Sequence, residues 1–215
     1  MLCLVLASVA IGLLAPAARA EPSATALAAR PQIRLAGVDR LPKWQRIATW
    51  LRSGEDVRQP ALKPWMVWAR SLRALPEMQR LSLIQVRVDQ AFGYASDQDE
   101  WGVADYWETP AEVAARGATD CEGFAIFKLW LARIAGIDDG HIALYVGQMP
   151  GGVQHAVLWV QAEDGDFALD SLQAGVVVAE NMPDFQPVML LSLDDMHVFV
   201  ASLPATMSPA GRPSR

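Results

Sequence analysis

The order of periodicities along the chain predicts an α+β domain, in which N-terminal helices and one central buried helix pack on an antiparallel β-sheet. Three observations carry this expectation. Helix-period apolar spacing runs through the first half of the chain. Residues 121–135, CEGFAIFKLWLARIA, are charged only at Glu122, Lys128 and Arg133, the pattern of a helix enclosed on nearly all sides. Beyond residue 140 the sequence breaks into short apolar or β-branched runs separated by Gly, Asp or Pro. A length of 215 residues fits one domain with appendages. A composition 52% hydrophobic and 20% charged excludes a disordered polyelectrolyte. The net charge of −6 argues against a nucleic-acid binder, which shows a basic stripe.

The elements follow in order. Residues 1–20, MLCLVLASVAIGLLAPAARA, are apolar from Leu2 to Ala15 and end in Ala18-Arg19-Ala20, the layout of a secretory signal peptide cleaved after Ala20. No apolar run reaches the roughly 18 residues of a spanning helix, so the mature chain is not expected to cross a membrane. Cleavage removes Cys3 and leaves Cys121 as the lone cysteine of an exported protein. Residues 21–40, rich in Ala, Pro and Arg, are expected to form a flexible arm. The folded domain is placed at 41–202.

Trp44, Ile47, Ala48 and Leu51 mark a first helix stopped by Gly54. Pro64 opens a second helix that Pro76 closes, and Met78, Leu81, Ile84, Gln85 and Val88 line a third. Asp97, Asp99 and Glu100 offer oxygen donors that suit a metal, but the preferred reading is a solvated acidic turn. Thr109-Pro110-Ala111-Glu112 is a capping box. Gly136 ends the helix that starts at Cys121. Strands are expected at 142–146, 153–161, 167–172, 176–178, 188–191 and 197–200, with a disordered tail over 203–215.

The chemistry centres on Cys121. Asp120 is the N-cap of its helix, and a thiol at a helix start feels the positive end of the macrodipole, which favours thiolate. A thiolate enzyme needs a base, and the chain offers His141, His155 and His197. His155 opens a strand-like run and shares a face with Val157 and Trp159. Asp170, a lone carboxylate within an otherwise apolar strand, is the candidate that orients it. If Asp164-Gly165 is a two-residue turn, Asp170 shares the face of His155 but lies opposite Trp159, on the order of 13 Å too far along the strand. Asp120 and Glu122 flank the thiol and suit a hard cation such as Ca²⁺, or serve as a plain cap and first-turn acid. There is no zinc spacing, no G-x-S-x-G and no phosphate loop.

The ordered strings Asp105-Tyr-Trp-Glu-Thr-Pro-Ala-Glu112, Asp120-Cys-Glu122, His155-Ala-Val-Leu and Leu169-Asp-Ser-Leu172 resemble the bacterial transglutaminase-like cysteine proteinases, whose characterised members are LapG-type periplasmic proteases. The resemblance covers about residues 41–200. It implies a papain/transglutaminase-like fold and a Cys-His-Asp triad of Cys121 as nucleophile, His155 as general base and acid, and Asp170 as orienting carboxylate. It implies calcium on Asp120 and Glu122. Gly123 stands where many relatives carry a further acid, and Thr119 where they commonly carry Gly. It also implies a periplasmic endopeptidase that cuts a large repeat adhesin near its N-terminus, at an Ala-Ala bond. An inner-membrane receptor for cyclic di-GMP restrains such proteases and thereby controls biofilm attachment. Thioester chemistry equally serves a transglutaminase or amidase, and the same fold serves a non-catalytic periplasmic binding module.

Overall fold

The computed structural model describes residues 32–182 and 184–200. The expected leader, residues 21–31 of the expected arm and the expected tail lie outside the described residues. Among the described residues no helix is long and apolar enough to cross a membrane.

Helices come first. α1 (Pro42–Ser53), α2 (Lys63–Ser71) and α3 (Glu77–Ala91) follow the expected apolar spacing, and Gly54 closes α1 in the left-handed conformation (φ 68°). A short β2 (Gly93–Tyr94) leads to α4 (Asp97–Trp101) and α5 (Pro110–Arg116). The capping box at Thr109 forms: its hydroxyl accepts the Glu112 N–H while the Glu112 carboxylate accepts the Thr109 N–H. A short β3 (Ala118–Thr119) pairs parallel with β2 and delivers the chain into α6 (Cys121–Ile134).

α6 is the centre of the molecule. Its residues from Gly123 to Ala132 are all buried, including Lys128, whose ammonium pairs with Asp89 of α3 at 2.6 Å. Phe127 stands at the hub of an aromatic group, edge-on to Trp65, Phe92 and Trp130 at centroid distances of 5.0, 4.8 and 5.3 Å. The Trp130 indole N–H reaches Asp56 at 3.1 Å, so the ring is buried without a stranded donor.

The second half builds the sheet: β4 (Ile142–Met149), β5 (Val153–Ala162), β6 (Gly165–Leu169), β7 (Val177–Val178), β8 (Gln186–Leu191) and β9 (Asp195–Phe199). With β1 (Gln32–Ala36) they form one antiparallel sheet ordered β1-β9-β8-β4-β5-β6-β7. β1 falls within the segment expected as a flexible arm. Its pairing partner, β9, lies at the other end of the chain, so nothing local marks the strand. The inner face of β4 and β5, with Leu144, Val146, Ala156, Leu158 and Val160, joins the helical core. The outer face, with Tyr145, Val157, Trp159 and Ala168, makes a smaller cluster closed by Phe185 and Phe199.

One glycine shapes the end of the sheet that matters below. Gly147 on β4 pairs with His155 on β5. A Cβ at Gly147 would sit 2.6 Å from the Phe185 ring and 2.5 Å from the Gln186 carbonyl oxygen. Its bare backbone therefore lets Phe185 lie edge-on to the His155 ring, at 6.2 Å between centroids. Gly147→Ala is expected to cost about 1–3 kcal/mol through overpacking, read as a lowered midpoint in denaturant unfolding. An unchanged midpoint would show that Phe185 yields freely.

Candidate active site

Sheet register brings His155 and Asp170 together. The β5–β6 hairpin pairs Ala162 with Gly165, so its loop is Glu163-Asp164, one residue earlier than expected. That single step moves the register by two residues. Trp159 now faces Ala168, and continuing the ladder sets Asp170, just beyond β6, across from Val157. His155 is then a diagonal neighbour on the same outer face. The His155 Nε2 and Asp170 Oδ1 atoms are 2.7 Å apart, and the two residues are only 4% and 1% exposed.

Asp170 is held from several sides. Its Oδ1 also accepts the Leu172 N–H at 2.9 Å. From α3, the buried Gln85 amide donates to the Asp170 carbonyl at 2.6 Å and to the Gln173 carbonyl at 3.1 Å, pinning the turn after β6. Burial pushes the Asp170 carboxyl up. The bonds from His155 and Leu172, with the charges of His155 and Lys128, outweigh this and hold it below the ordinary carboxylate range.

Cys121 arrives from the helical side. β6 covers β5 only from Leu158 onward, so among the described residues no strand pairs with the Val153–Val157 edge on that side. The start of α6 comes to that edge, where the Ala156 backbone hydrogen-bonds the Cys121 sulfur. Asp120 caps the helix as expected, its Oδ1 accepting the Glu122 and Gly123 N–H groups at 3.1 and 3.3 Å. The thiol is partly exposed and donates to Glu122 Oε2 at 2.9 Å.

The expected thiolate-favouring field is overturned here. Burial pushes the Cys121 thiol up, and the charge and hydrogen bond of Glu122 and the charge of Asp120 push it further; the Ala156 backbone bond opposes them and loses. The half-charge at a helix start is outweighed by burial and by the Glu122 carboxylate in contact with the thiol. Asp120 is itself pushed up to about 9, first by burial and then by Glu122, Asp97 and Glu108.

Of those last two residues, Glu108 escapes sequence reasoning, and Asp97 departs from the solvated turn preferred for it over a metal site. Asp97 belongs to the supposed solvated turn, yet it is 7% exposed, and its Oδ2 accepts the Tyr106 N–H at 2.6 Å. Glu108, 1% exposed, accepts the Trp101 indole N–H on Oε1 at 3.1 Å. Asp97, Glu108 and Asp120 each bring a carboxylate oxygen within 4.8 Å of the others. Burial pushes both Asp97 and Glu108 upward. The Asp105-Tyr-Trp-Glu string is the one sequence signal: Asp105 pairs with Lys43, Tyr106 O–H donates to Glu112, and Glu108 is buried. Of the other histidines, His141 is exposed and His197 lines a cavity of about 480 Å³ that shares no lining residue with this site.

A family model described as bacterial transglutaminase-like cysteine proteinase BTLCP matches residues 69–201, which hold Cys121, His155 and Asp170. The chain belongs to this family. It is a cysteine protease. The EGTA-treated form of Legionella pneumophila LapG is 25% identical, with a TM-score of 0.57 over 75% of this chain and 88% of that one. Another LapG structure from the same organism is 25% identical at a TM-score of 0.56, over 73% and 87% of the two chains. The calcium-bound form of LapG shares the fold at 24% identity and a TM-score of 0.56, over 80% and 93%. Among curated proteins none matches.

The electrostatics of the thiol make a direct prediction. In chelator-treated protease, Glu122→Gln removes the anion and hydrogen bond that hold the proton on Cys121. Alkylation by iodoacetamide at fixed pH 8 should accelerate several-fold, because the thiol falls toward its ordinary range. A rate equal to or below that of the parent would show that Glu122 does not govern the thiol.

Proposed function

We propose that the protease uses Cys121 as nucleophile, His155 as base and acid, and Asp170 as the group that orients the imidazole. The observation that carries this reading is the buried His155–Asp170 bond, beside the edge where Ala156 meets the Cys121 sulfur. Asp170 occupies Nε2, which leaves Nδ1 as the ring nitrogen for the thiol.

The chemistry follows from that arrangement. His155 Nδ1 takes the proton from Cys121, and the sulfur attacks the carbonyl carbon of a peptide bond. The Cys121 N–H, unclaimed at the helix start, is the donor for the developing oxyanion. His155 returns its proton to the departing amine as the C–N bond breaks, leaving a thioester on Cys121. Water then gives a proton to His155 and its oxygen to the acyl carbon; collapse frees the acid and restores the thiol. Asp170 stabilises the transient imidazolium without taking its proton.

The residues fit a hard cation. Asp120 and Glu122 offer oxygen donors at the helix start, and carboxylate oxygens of Asp97 and Glu108 lie within 4.8 Å of that of Asp120. Calcium held by Asp120 and Glu122 would supply positive charge that offsets their field on the thiol. The calcium-bound and EGTA-treated forms of LapG support this assignment. Membership of the family supports the rest of the reading. The protease works in the periplasm on the N-terminal region of a large surface adhesin, at an Ala-Ala bond. An inner-membrane receptor for cyclic di-GMP holds it in check, so that cleavage controls biofilm attachment.

Cys121→Ala should abolish cleavage of a purified adhesin N-terminal fragment, followed by mass spectrometry, with the unfolding midpoint retained. Asp170→Asn should lower kcat about 10³–10⁴-fold. Chelation should stop turnover and calcium restore it. Cleavage surviving in Cys121→Ala would remove this nucleophile, and turnover indifferent to chelator would remove the metal.

A further inference from the structure

We infer that the outward face of α2 and α3, with Arg87 at its centre, is an exosite that holds an acidic stretch of the polypeptide substrate away from the scissile bond. This rests on the reading of Cys121 as the nucleophile, and it gives a role to residues that neither the triad nor the calcium reading uses.

Charge sets this face apart. From Lys63 to Ala91 the chain carries five basic side chains and two acidic ones, in a protein whose net charge is −6. Both acids are neutralised in place, Glu77 by Arg80 at 3.6 Å and Asp89 by Lys128 of α6 at 2.6 Å. Among the described residues Lys63, Arg70 and Arg87 ion-pair with no carboxylate. Such a patch attracts anions that the rest of the surface repels.

Arg87 is held ready for one. Its guanidinium carbon lies 4.3 Å from the centre of the Trp68 ring and 5.2 Å from that of Trp65. The two indoles stand edge to face, 6.3 Å apart, and grip the cation through its flat side. Arg87 is exposed, and its in-plane N–H groups are bonded to nothing among the described residues. That fork matches the two oxygens of a carboxylate, and a guanidinium already stacked loses less freedom on binding one.

The face leads to the thiol. Trp65 stacks on Phe92 at 5.5 Å between centroids. Phe92 ends α3, and the next strand pairs Tyr94 with Thr119, two residues before Cys121. Tyr94 is 72% exposed, and its hydroxyl is pushed up by partial burial and then by the charge of Cys121, which sets the ring close to the nucleophile. A polypeptide bound at Cys121 has a continuous path over Tyr94 to the indoles and Arg87. Val67, Leu83 and Val86, all exposed, add apolar contact on the same two helices. A lipid surface suits the face less. Membrane-binding helices turn their indoles outward, whereas Trp65 and Trp68 turn to Arg87, and Trp65 also packs on the buried Phe127 at 5.0 Å.

The test uses the full-length chain in calcium-containing buffer. Fluorescence anisotropy follows binding of a labelled 16-residue Glu-Ala repeat peptide, its Gln-Ala counterpart, and vesicles of phosphatidylglycerol. The Glu-Ala peptide should bind at least tenfold more tightly than the Gln-Ala peptide, and more weakly as salt rises. Arg87→Gln should weaken that binding about five- to tenfold, and Arg87→Lys should recover only part of it, because an ammonium keeps the charge without the fork. On the adhesin fragment, Arg87→Gln should raise KM by a similar factor with kcat and melting temperature unchanged. Equal binding of the two peptides, or parent affinity in Arg87→Gln, overturns the exosite. Binding to vesicles but not to the Glu-Ala peptide overturns it in favour of a membrane surface. Cleavage of the fragment by Arg87→Gln at the parent KM overturns the exosite and keeps the proposed substrate. A parent chain that binds the Glu-Ala peptide through Arg87 but cuts no adhesin fragment keeps the exosite and overturns the proposed substrate.

Discussion

The hydrogen bond between His155 Nε2 and Asp170 Oδ1 is the constraint around which the rest of the site is arranged. A carboxylate only 1% exposed survives ionised because everything around it favours the charge. The ring donates to it, the Leu172 N–H donates to it, and the ammonium of Lys128, itself enclosed within the central helix, lies close enough to act on it. Gln85 adds nothing to that charge but clasps the backbone that carries it. The long apolar helix and the third helix therefore do more than fill space. They bring one buried cation and one buried amide to the back of a strand end that would otherwise be free to swing. The imidazole cannot turn, and the nitrogen it offers away from Asp170 is settled by the fold.

A different balance holds at the sulfur. The fold places the thiol where a helix begins, beside an unpaired strand edge, and then surrounds it with acids. Backbone dipoles favour the anion, while the neighbouring carboxylates and burial oppose it, and the opposing side wins. Under the proposed reading, a cation held by those acids would shift this balance toward the thiolate.

Much of this was legible in the residues. The three helices, the capping box at Thr109, the cap at Asp120 and the face shared by His155 and Asp170 all follow from local spacing and chemistry. Two things were not. The separation along the strand depended on whether the hairpin turned at Glu163-Asp164 or one residue later. Both dipeptides can make a turn, so local chemistry does not choose between them; the choice belongs to the packing of Leu158 and Leu169 into the core. Asp97 looked like one of several acids in a solvated turn because burial of a single member comes from Tyr106, nine residues away, which no periodicity encodes. The edge strand at Gln32–Ala36 was hidden for a related reason: its partner lies at the other end of the chain.

The tautomer of His155 tests the central claim most directly. With the protein labelled with ¹⁵N at histidine, proton–nitrogen correlation spectra at neutral pH should show a proton on Nε2. Its resonance should be shifted far downfield by the bond to Asp170, protected from solvent exchange, and lost in Asp170→Asn. A proton found on Nδ1, or an Nε2 resonance indifferent to the loss of Asp170, would contradict the account.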